Sequence, residues 1–252
     1  MILDRFKLTG KVAIVTGAGR GLGRAMACGL AEAGADLALV GSTTTDATAQ
    51  AVRAAGRRVC QIQANLLQPA AVAGIVERTV TELGGVDILV NNAGIIRRAP
   101  ALEFSEADWD DVLHINLKAL FFMAQAAAKI MAKQGGGKII NVASMLSFQG
   151  GVIVPSYTAA KSGVAGVTRA LANEWAKYHI NVNAIAPGYM ATANTAALRA
   201  DPVRSAAILD RIPAGRWGTP DDLKGVVVLL ASPASDYLCG AIVPVDGGWL
   251  TR

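Results

Sequence analysis

Thr16-Gly17-Ala18-Gly19-Arg20-Gly21-Leu22-Gly23 joins an apolar run, Lys11–Thr16, to an Ala-rich segment of helical spacing, Gly21–Ala33. Glycines this close together permit a tight turn and let the backbone approach an anion. They also turn the first helical N–H groups, at the positive end of the helix dipole, toward it. Placed between a strand and a helix, the cluster predicts a cradle for the pyrophosphate of a dinucleotide rather than a flexible turn. Its spacing, Gly17, Gly21, Gly23, departs from the common G-x-G-x-x-G form.

The same alternation continues on the far side of the turn. Short β-branched or apolar runs recur at Asp36–Val40, Arg58–Gln63, Val86–Asn91, Gly137–Ala143, Ile180–Ile185 and Ala241–Val245, which with Lys11–Thr16 makes seven predicted strands. Between them lie segments of helical spacing at Asp46–Ala55, Pro69–Leu83, Glu106–Lys133, Pro155–Tyr178 and Pro220–Ala231. Parallel crossovers require covering elements, so the pattern predicts an α/β fold: one Rossmann-type, doubly wound parallel sheet of about seven strands with helices on both faces. Neither a linker nor an internal repeat interrupts it, and residues 1–252 are read as one domain for both dinucleotide binding and catalysis. The stretch 192–217 breaks the rhythm between a Pro-Gly and a Pro-Ala-Gly turn and is read as a lid over the substrate.

Composition narrows the partners. At 252 residues, 52% hydrophobic and 17% charged, the chain can bury a large core, which excludes disorder. The net charge of +5 is dispersed: no basic run exceeds the pairs Arg57-Arg58 and Arg97-Arg98, so nucleic acid is not an expected partner. Cys28, Cys60 and Cys239 form neither a disulfide framework nor a zinc motif, and His114 and His179 have no ligand spacing, so no metal is expected. The first residues carry Asp4, Arg5 and Lys7 without an apolar core, unlike a signal peptide. The apolar stretch around Ala119–Ala128 is shorter than the roughly 18 residues of a membrane span. A cytoplasmic protein with no membrane partner is expected.

Tyr157 and Lys161 lie four apart in a helical segment and so share one face, and Ser144 follows the strand before them. In a parallel sheet, strand C-termini gather on the edge that carries the glycine-rich turn. The chemistry suits these types. Moving a hydride to or from a carbinol carbon also moves a hydroxyl proton, and a phenol of ordinary pKa near 10 is a poor base at neutral pH. A neighbouring ammonium, Lys161, is expected to lower the Tyr157 pKa, and the Ser144 hydroxyl to hold the substrate oxygen.

The T-G-x-x-x-G-x-G turn, Ser144, Tyr157, Lys161, the Asn91-Asn92-Ala93-Gly94 turn, Asn116, and Pro187-Gly188 followed by Thr192 resemble the short-chain dehydrogenase/reductase family across essentially the whole chain. The resemblance implies a nicotinamide-dependent oxidoreductase with Asn116, Ser144, Tyr157 and Lys161 as its catalytic set, Asn116 holding a water in a proton relay with Lys161. It also implies that the cofactor is lined by Gly17, Gly19, Arg20, Gly21, Leu22, Gly23, Ser42, Asn65, Leu66, Asn92, Ala93, Gly94, Tyr157, Lys161, Pro187, Gly188 and Thr192, and that the assembly is a homotetramer.

Stretches at 102–109, 144–151, 186–192, 211–218 and 245–250 are similar to the bacterial 2-deoxy-D-gluconate 3-dehydrogenase subfamily, also called 2-dehydro-3-deoxy-D-gluconate 5-dehydrogenases, which act on sugar acids. The candidate substrate residues are Arg97, Ser144, Gln149, Tyr157, Met190, Asn194 and Arg216, with Arg98 and Arg204 as further loop arginines. Val152-Ile153 stands where members of that subfamily often carry a basic residue.

For the cofactor, the second strand ends Leu39-Val40-Gly41-Ser42 without the acid that accepts the adenosine ribose hydroxyls, and Asn65 replaces the usual Asp near the adenine. Arg20 could attract a 2′-phosphate. The subfamily resemblance implies NAD, with NADP left open. Two other readings are a 3-oxoacyl thioester reductase on the same core motifs and a catalytically silent nicotinamide sensor, against which the complete Asn-Ser-Tyr-Lys set argues. Trp249 and Leu250 after a Gly-Gly turn are read as an exposed apolar tail that marks a subunit interface.

Overall fold

Strand β1 (Val12–Thr16) is buried at all five positions and β2 (Asp36–Gly41) at all six, as strands covered on both faces must be. Along β1 the side chains alternate. Val12 and Ile14 join the core on one face of the sheet, and Ala13 and Val15 join the core on the other. The computed structural model describes residues 1–68 and 70–252; the predicted helix start at Pro69 lies outside the described residues.

With β3 (Val59–Gln63), β4 (Ile88–Asn91), β5 (Gly137–Val142), β6 (Ile180–Pro187) and β7 (Ile242–Val245), these form one seven-stranded sheet in the order β3-β2-β1-β4-β5-β6-β7. Every described pairing is parallel. The chain winds outward from β1 to β3, then restarts at β4 on the other side of β1, which opens a crevice at the C-terminal edge between β1 and β4.

Helices α1 (Gly21–Glu32), α2 (Asp46–Ala54) and α9 (Lys224–Ala231) cover one face, with Met26, Leu30, Val52, Val227 and Leu230 packed on Val15, Leu39, Val90 and Ile140. On the other face lie α3 (Ala70–Leu83), α5 (Leu120–Gln134) and α6 (Pro155–Trp175), where Ile75, Met123, Ala127 and Leu171 meet Ile14, Leu89 and Ile139. Polar groups buried beneath the edge pair with one another: the Asn91 amide donates to Asn141 Oδ1 at 3.0 Å, and the Asn141 amide to Thr168 Oγ1 at 3.0 Å.

Two elements differ from the sequence expectation, the long helix and the tail, while the helix-compatible segment 192–217 is filled in. The segment read as one helix from Glu106 to Lys133 is α4 (Glu106–Leu113), a π turn (His114–Ala119) and α5. Glu106–Gln134 is by length and composition apolar enough to cross a membrane, longer than the stretch around Ala119 suggested, but Val112, Asn116, Leu120, Met123 and Ala127 turn it into the protein's own core. The segment 192–217 contains two short helices, α7 (Ala196–Ala200) and α8 (Pro202–Arg211), the latter capped by Asp201, whose carboxylate accepts from the Val203 and Arg204 N–H groups.

The tail is the second difference. Trp249 is not an exposed interface residue: it is 5% exposed, packed with Met145, Ile208 and Ile212, edge-on to Tyr189 at 4.7 Å between ring centroids. The Arg211 guanidinium lies 4.0 Å from its ring centroid, and its indole N–H donates to Gln149 Oε1 at 3.2 Å. The ring buries its apolar surface against these side chains of its own chain.

Candidate active site

The glycine-rich turn owes its shape to what surrounds it. Gly17 and Gly21 have φ of +65° and +54°. A Cβ at Gly19 would lie 2.8 Å from the Thr44 carbonyl oxygen, and one at Gly23 would collide with the Gly17 carbonyl. The turn is clamped to the segment after β4: the Asn92 amide donates to Thr16 O at 2.9 Å and Gly17 O at 3.2 Å, while Thr16 Oγ1 accepts from the Asn92 and Ala93 N–H groups, each at 3.0 Å.

At the start of α1, Arg20 is exposed in the N-cap position without a side-chain cap, and the first turn holds no acid. Its free N–H groups and dipole are therefore available to an anion, so the residues present fit a dinucleotide pyrophosphate. Thr192, at the head of the lid segment, faces the turn: a Cβ at Gly21 would lie 3.8 Å from Thr192 Cγ2. Gly188, after Pro187, packs against Asp246, leaving a Cβ only 2.5 Å from Asp246 Cα. Ser42 and Asn65 are exposed beyond β2 and β3, and Leu66 is buried beside them. Leu22 is half-buried in α1.

Four polar side chains converge further along this edge. Pro155 starts α6, which sets Tyr157 and Lys161 one turn apart, with Lys161 Nζ 5.5 Å from the Tyr157 ring centroid. Lys161 is 3% exposed and donates to the Val142 carbonyl oxygen at 2.6 Å. Burial pushes its ammonium down to about 8. Tyr157 is half-buried, and desolvation pushes its phenol up to about 12, against the Ser144 hydrogen bond and the positive charge of Arg98, which both lower it. The sequence reading gave that lowering to Lys161. In the structure the Lys161 ammonium is turned to the β5 backbone, and the net effect of the surroundings on the phenol is upward.

Asn116 sits in the π turn, 1% exposed, its amide donating to Ile95 O and Val112 O, both at 2.9 Å. Its Oδ1 is buried without a partner and would lie 2.5 Å from a Cβ at Gly94. A buried acceptor left open beside the Asn92-Ala93-Gly94 turn is suited to a bound water or ligand. π turns of this kind frequently occur at functional positions.

The candidate substrate residues divide. Arg97 is held by Asp108 at 3.0 Å and Asp111 at 3.7 Å, and Arg216 forms a two-pronged pair with Asp222 at 2.7 and 2.9 Å, so neither guanidinium is free for a substrate. Met190 is 5% exposed and packed in the apolar core, at the wall of a cavity shared with Gly188, Tyr189 and Arg216. Gln149 Oε1 accepts from Arg211 and Trp249, which leaves its amide N–H groups free to donate. Asn194 is exposed at the start of the lid, its carbonyl accepting from Arg98 at 3.5 Å. Arg98, a further loop arginine of the sequence reading, is exposed, and among the described residues it has no carboxylate partner. The Arg97-Arg98 doublet was legible. Which of the two was spoken for required the position of α4.

A family model described as Enoyl-(Acyl carrier protein) reductase matches residues 17–250. The chain is 62% identical over 253 residues to the 2-dehydro-3-deoxy-D-gluconate 5-dehydrogenase of Escherichia coli K12, covering 100% of both. It is 51% identical over 252 residues to the protein of that name from Bacillus subtilis 168, covering 99% of this chain and 98% of the other. A crystal structure of a gluconate 5-dehydrogenase from Burkholderia cenocepacia J2315, in complex with NADP and tartrate, superposes with a TM-score of 0.95 at 39% identity, covering 100% of each chain. With its seven-stranded parallel sheet, its glycine-rich turn and this similarity along its full length, the chain belongs to the short-chain dehydrogenase/reductase family and is an NAD(P)-dependent oxidoreductase.

Proposed function

We propose that this enzyme interconverts a secondary alcohol and a ketone on a sugar acid, as a 2-dehydro-3-deoxy-D-gluconate 5-dehydrogenase (2-deoxy-D-gluconate 3-dehydrogenase). The observation that carries the reading is the exposed Arg98 guanidinium, which has no carboxylate partner among the described residues and whose segment is tied to the loop before Tyr157 by the Ala99 N–H bond to the Ile153 carbonyl: it offers a carboxylate a partner on the substrate side of the tyrosine. The names of the full-length relatives support the same substrate class.

In this reading Tyr157 is the acid/base, taking the hydroxyl proton in oxidation and returning it in reduction. Ser144 donates a hydrogen bond to the substrate oxygen, which grows stronger as negative charge builds there. Lys161 and Asn116 form the proton path behind the tyrosine, Asn116 Oδ1 supplying the open acceptor for a relay water. Gly17, Gly19, Gly21, Leu22 and Gly23 hold the pyrophosphate, and Arg20 lies toward the adenosine ribose. Ser42, Asn65, Leu66, Asn92, Ala93, Gly94, Pro187, Gly188 and Thr192 line the rest of the dinucleotide, with Tyr157 and Lys161 beside its nicotinamide end. NAD(P) bound there supplies the hydride acceptor or donor, and its oxidised ring adds a positive charge that favours the phenolate. Gln149 and Asn194 complete the substrate side under the lid 192–217.

NAD serves as cofactor and NADP is tolerated. β2 ends in Gly41 followed by Ser42, so no acid stands at its end to repel a 2′-phosphate, and the exposed Arg20 of the glycine-rich turn offers one a positive charge. The protein works in the cytoplasm, where its three free thiols stay reduced. It assembles as a homotetramer through surfaces other than Trp249, the open edge of β7 being one.

The test is incubation with 2-deoxy-D-gluconate and oxidised NAD or NADP, following nicotinamide absorbance and the product by mass spectrometry. A product lighter by one H₂ supports the reading. Absorbance and mass unchanged with both cofactors overturn it.

A further inference from the structure

Two residues other than glycine adopt positive φ among the described residues, and only one has an ordinary reason. His179, at +58°, closes the turn Ala176–Tyr178 after α6, the usual place for a left-handed cap. Ile153, also at +58°, caps no helix and is β-branched, the residue class least suited to that region. It is half exposed, with no place in the described apolar cores, so burial of its side chain does not account for the strain. Its carbonyl, however, accepts a hydrogen bond from the Ala99 N–H at 3.1 Å, joining the loop before α6 to the residue next to Arg98. Strained backbone of this kind persists where surrounding structure imposes it, often beside a reacting centre.

We propose that Ile153 is a positioning residue: its left-handed backbone directs the 153 carbonyl onto Ala99 N–H and thereby holds Arg98 over the substrate carboxylate. This rests on the reading of Arg98 given above. The loop 150–154 leads directly into α6, so one short segment sets both Tyr157, at the reacting oxygen, and Arg98, at the charged end of the substrate. The spacing between those two ends is what an enzyme for a carboxylate-bearing alcohol must control. The role belongs to the backbone, so a side chain that tolerates positive φ preserves it and one that forbids it does not.

The experiment compares kcat/KM for 2-deoxy-D-gluconate and for its uncharged amide. In the wild type the acid is preferred, and Arg98→Ala is expected to cut kcat/KM for the acid at least tenfold and that for the amide by a clearly smaller factor. Ile153→Pro, whose ring fixes φ near −65°, is expected to lower the acid about tenfold through KM, again with a clearly smaller loss on the amide. Ile153→Gly, which reaches positive φ without strain, is expected to keep the acid-over-amide preference. Equal loss on both substrates in Arg98→Ala overturns the reading of Arg98 and the positioning role with it. A normal Arg98→Ala result combined with equal loss in Ile153→Pro overturns the positioning role alone. Should the proline variant fail to fold, Ile153→Gly still decides: loss of the preference there would assign the effect to the isoleucine side chain and refute the backbone role.

Discussion

Replacing Lys161 by methionine tests the electrostatics of the site, because methionine keeps an unbranched stem of similar length and removes the charge. Burial takes the Lys161 ammonium from its ordinary 10.5 to about 8, which corresponds to a penalty of about 3 kcal/mol on the folded state while the lysine is charged. The folded-state value is depressed, so between pH 8 and 10.5 the unfolded chain binds more protons and wild-type stability rises with pH. Below pH 8 the full penalty applies. Losing the hydrogen bond to Val142 costs the variant about 1–3 kcal/mol at every pH. The variant is thus expected to be as stable as the wild type or slightly more so at pH 7. It should then fall behind by about 3 kcal/mol between pH 7 and 10.5, or about 6–12 °C in Tm for a chain of this size. Calorimetric melts of both proteins across that range measure it. A stability difference that stays flat from pH 7 to 10.5 would refute the depressed lysine, and turnover in the variant should be lost throughout.

Tyr157→Phe removes the transferable proton and should lower kcat about 10²-fold or more while leaving the Kd of the nicotinamide cofactor unchanged; near-normal turnover would dismiss Tyr157 as the acid/base. Arg20→Ala should weaken NADP about tenfold or more by calorimetric titration and leave NAD within about twofold, whereas equal effects on both would remove Arg20 from the 2′-phosphate. Trp249→Ala, which opens the cluster of Met145, Ile208 and Ile212, should cost about 3–5 kcal/mol in urea unfolding with the oligomer mass unchanged by light scattering. A loss under about 1 kcal/mol accompanied by dissociation would return the tail to an interface.

The sheet was legible because parallel strands buried on both faces leave continuous apolar runs, as at Ile88–Asn91 and Ile139–Val142, and because turn residues punctuate them. The convergence of Ser144, Tyr157 and Lys161 followed from the same topology, since all three sit at one sheet edge. What escaped was decided by neighbours distant in sequence. The π turn at Asn116 interrupts a pattern whose apolar spacing still fits an ordinary helix. Arg97 and Arg98 are equivalent as letters until Asp108 and Asp111 claim the first. Trp249 reads as an exposed tail until α8 supplies Ile208 and Arg211 to cover it. The direction in which Lys161 points depends on the Val142 carbonyl, which has no signature in the side-chain sequence.

The reading of Arg98 makes this NAD(P)-dependent site one specialised for a carboxylate-bearing sugar. The most direct test measures kcat/KM of the wild-type enzyme for reduction of 2-dehydro-3-deoxy-D-gluconate and for a 3-oxoacyl thioester under identical conditions, following nicotinamide absorbance. A site built for the sugar acid should give it a value of about 10⁴ M⁻¹ s⁻¹ or more, at least a hundredfold above the thioester. A thioester reduced faster than the sugar acid would contradict that reading.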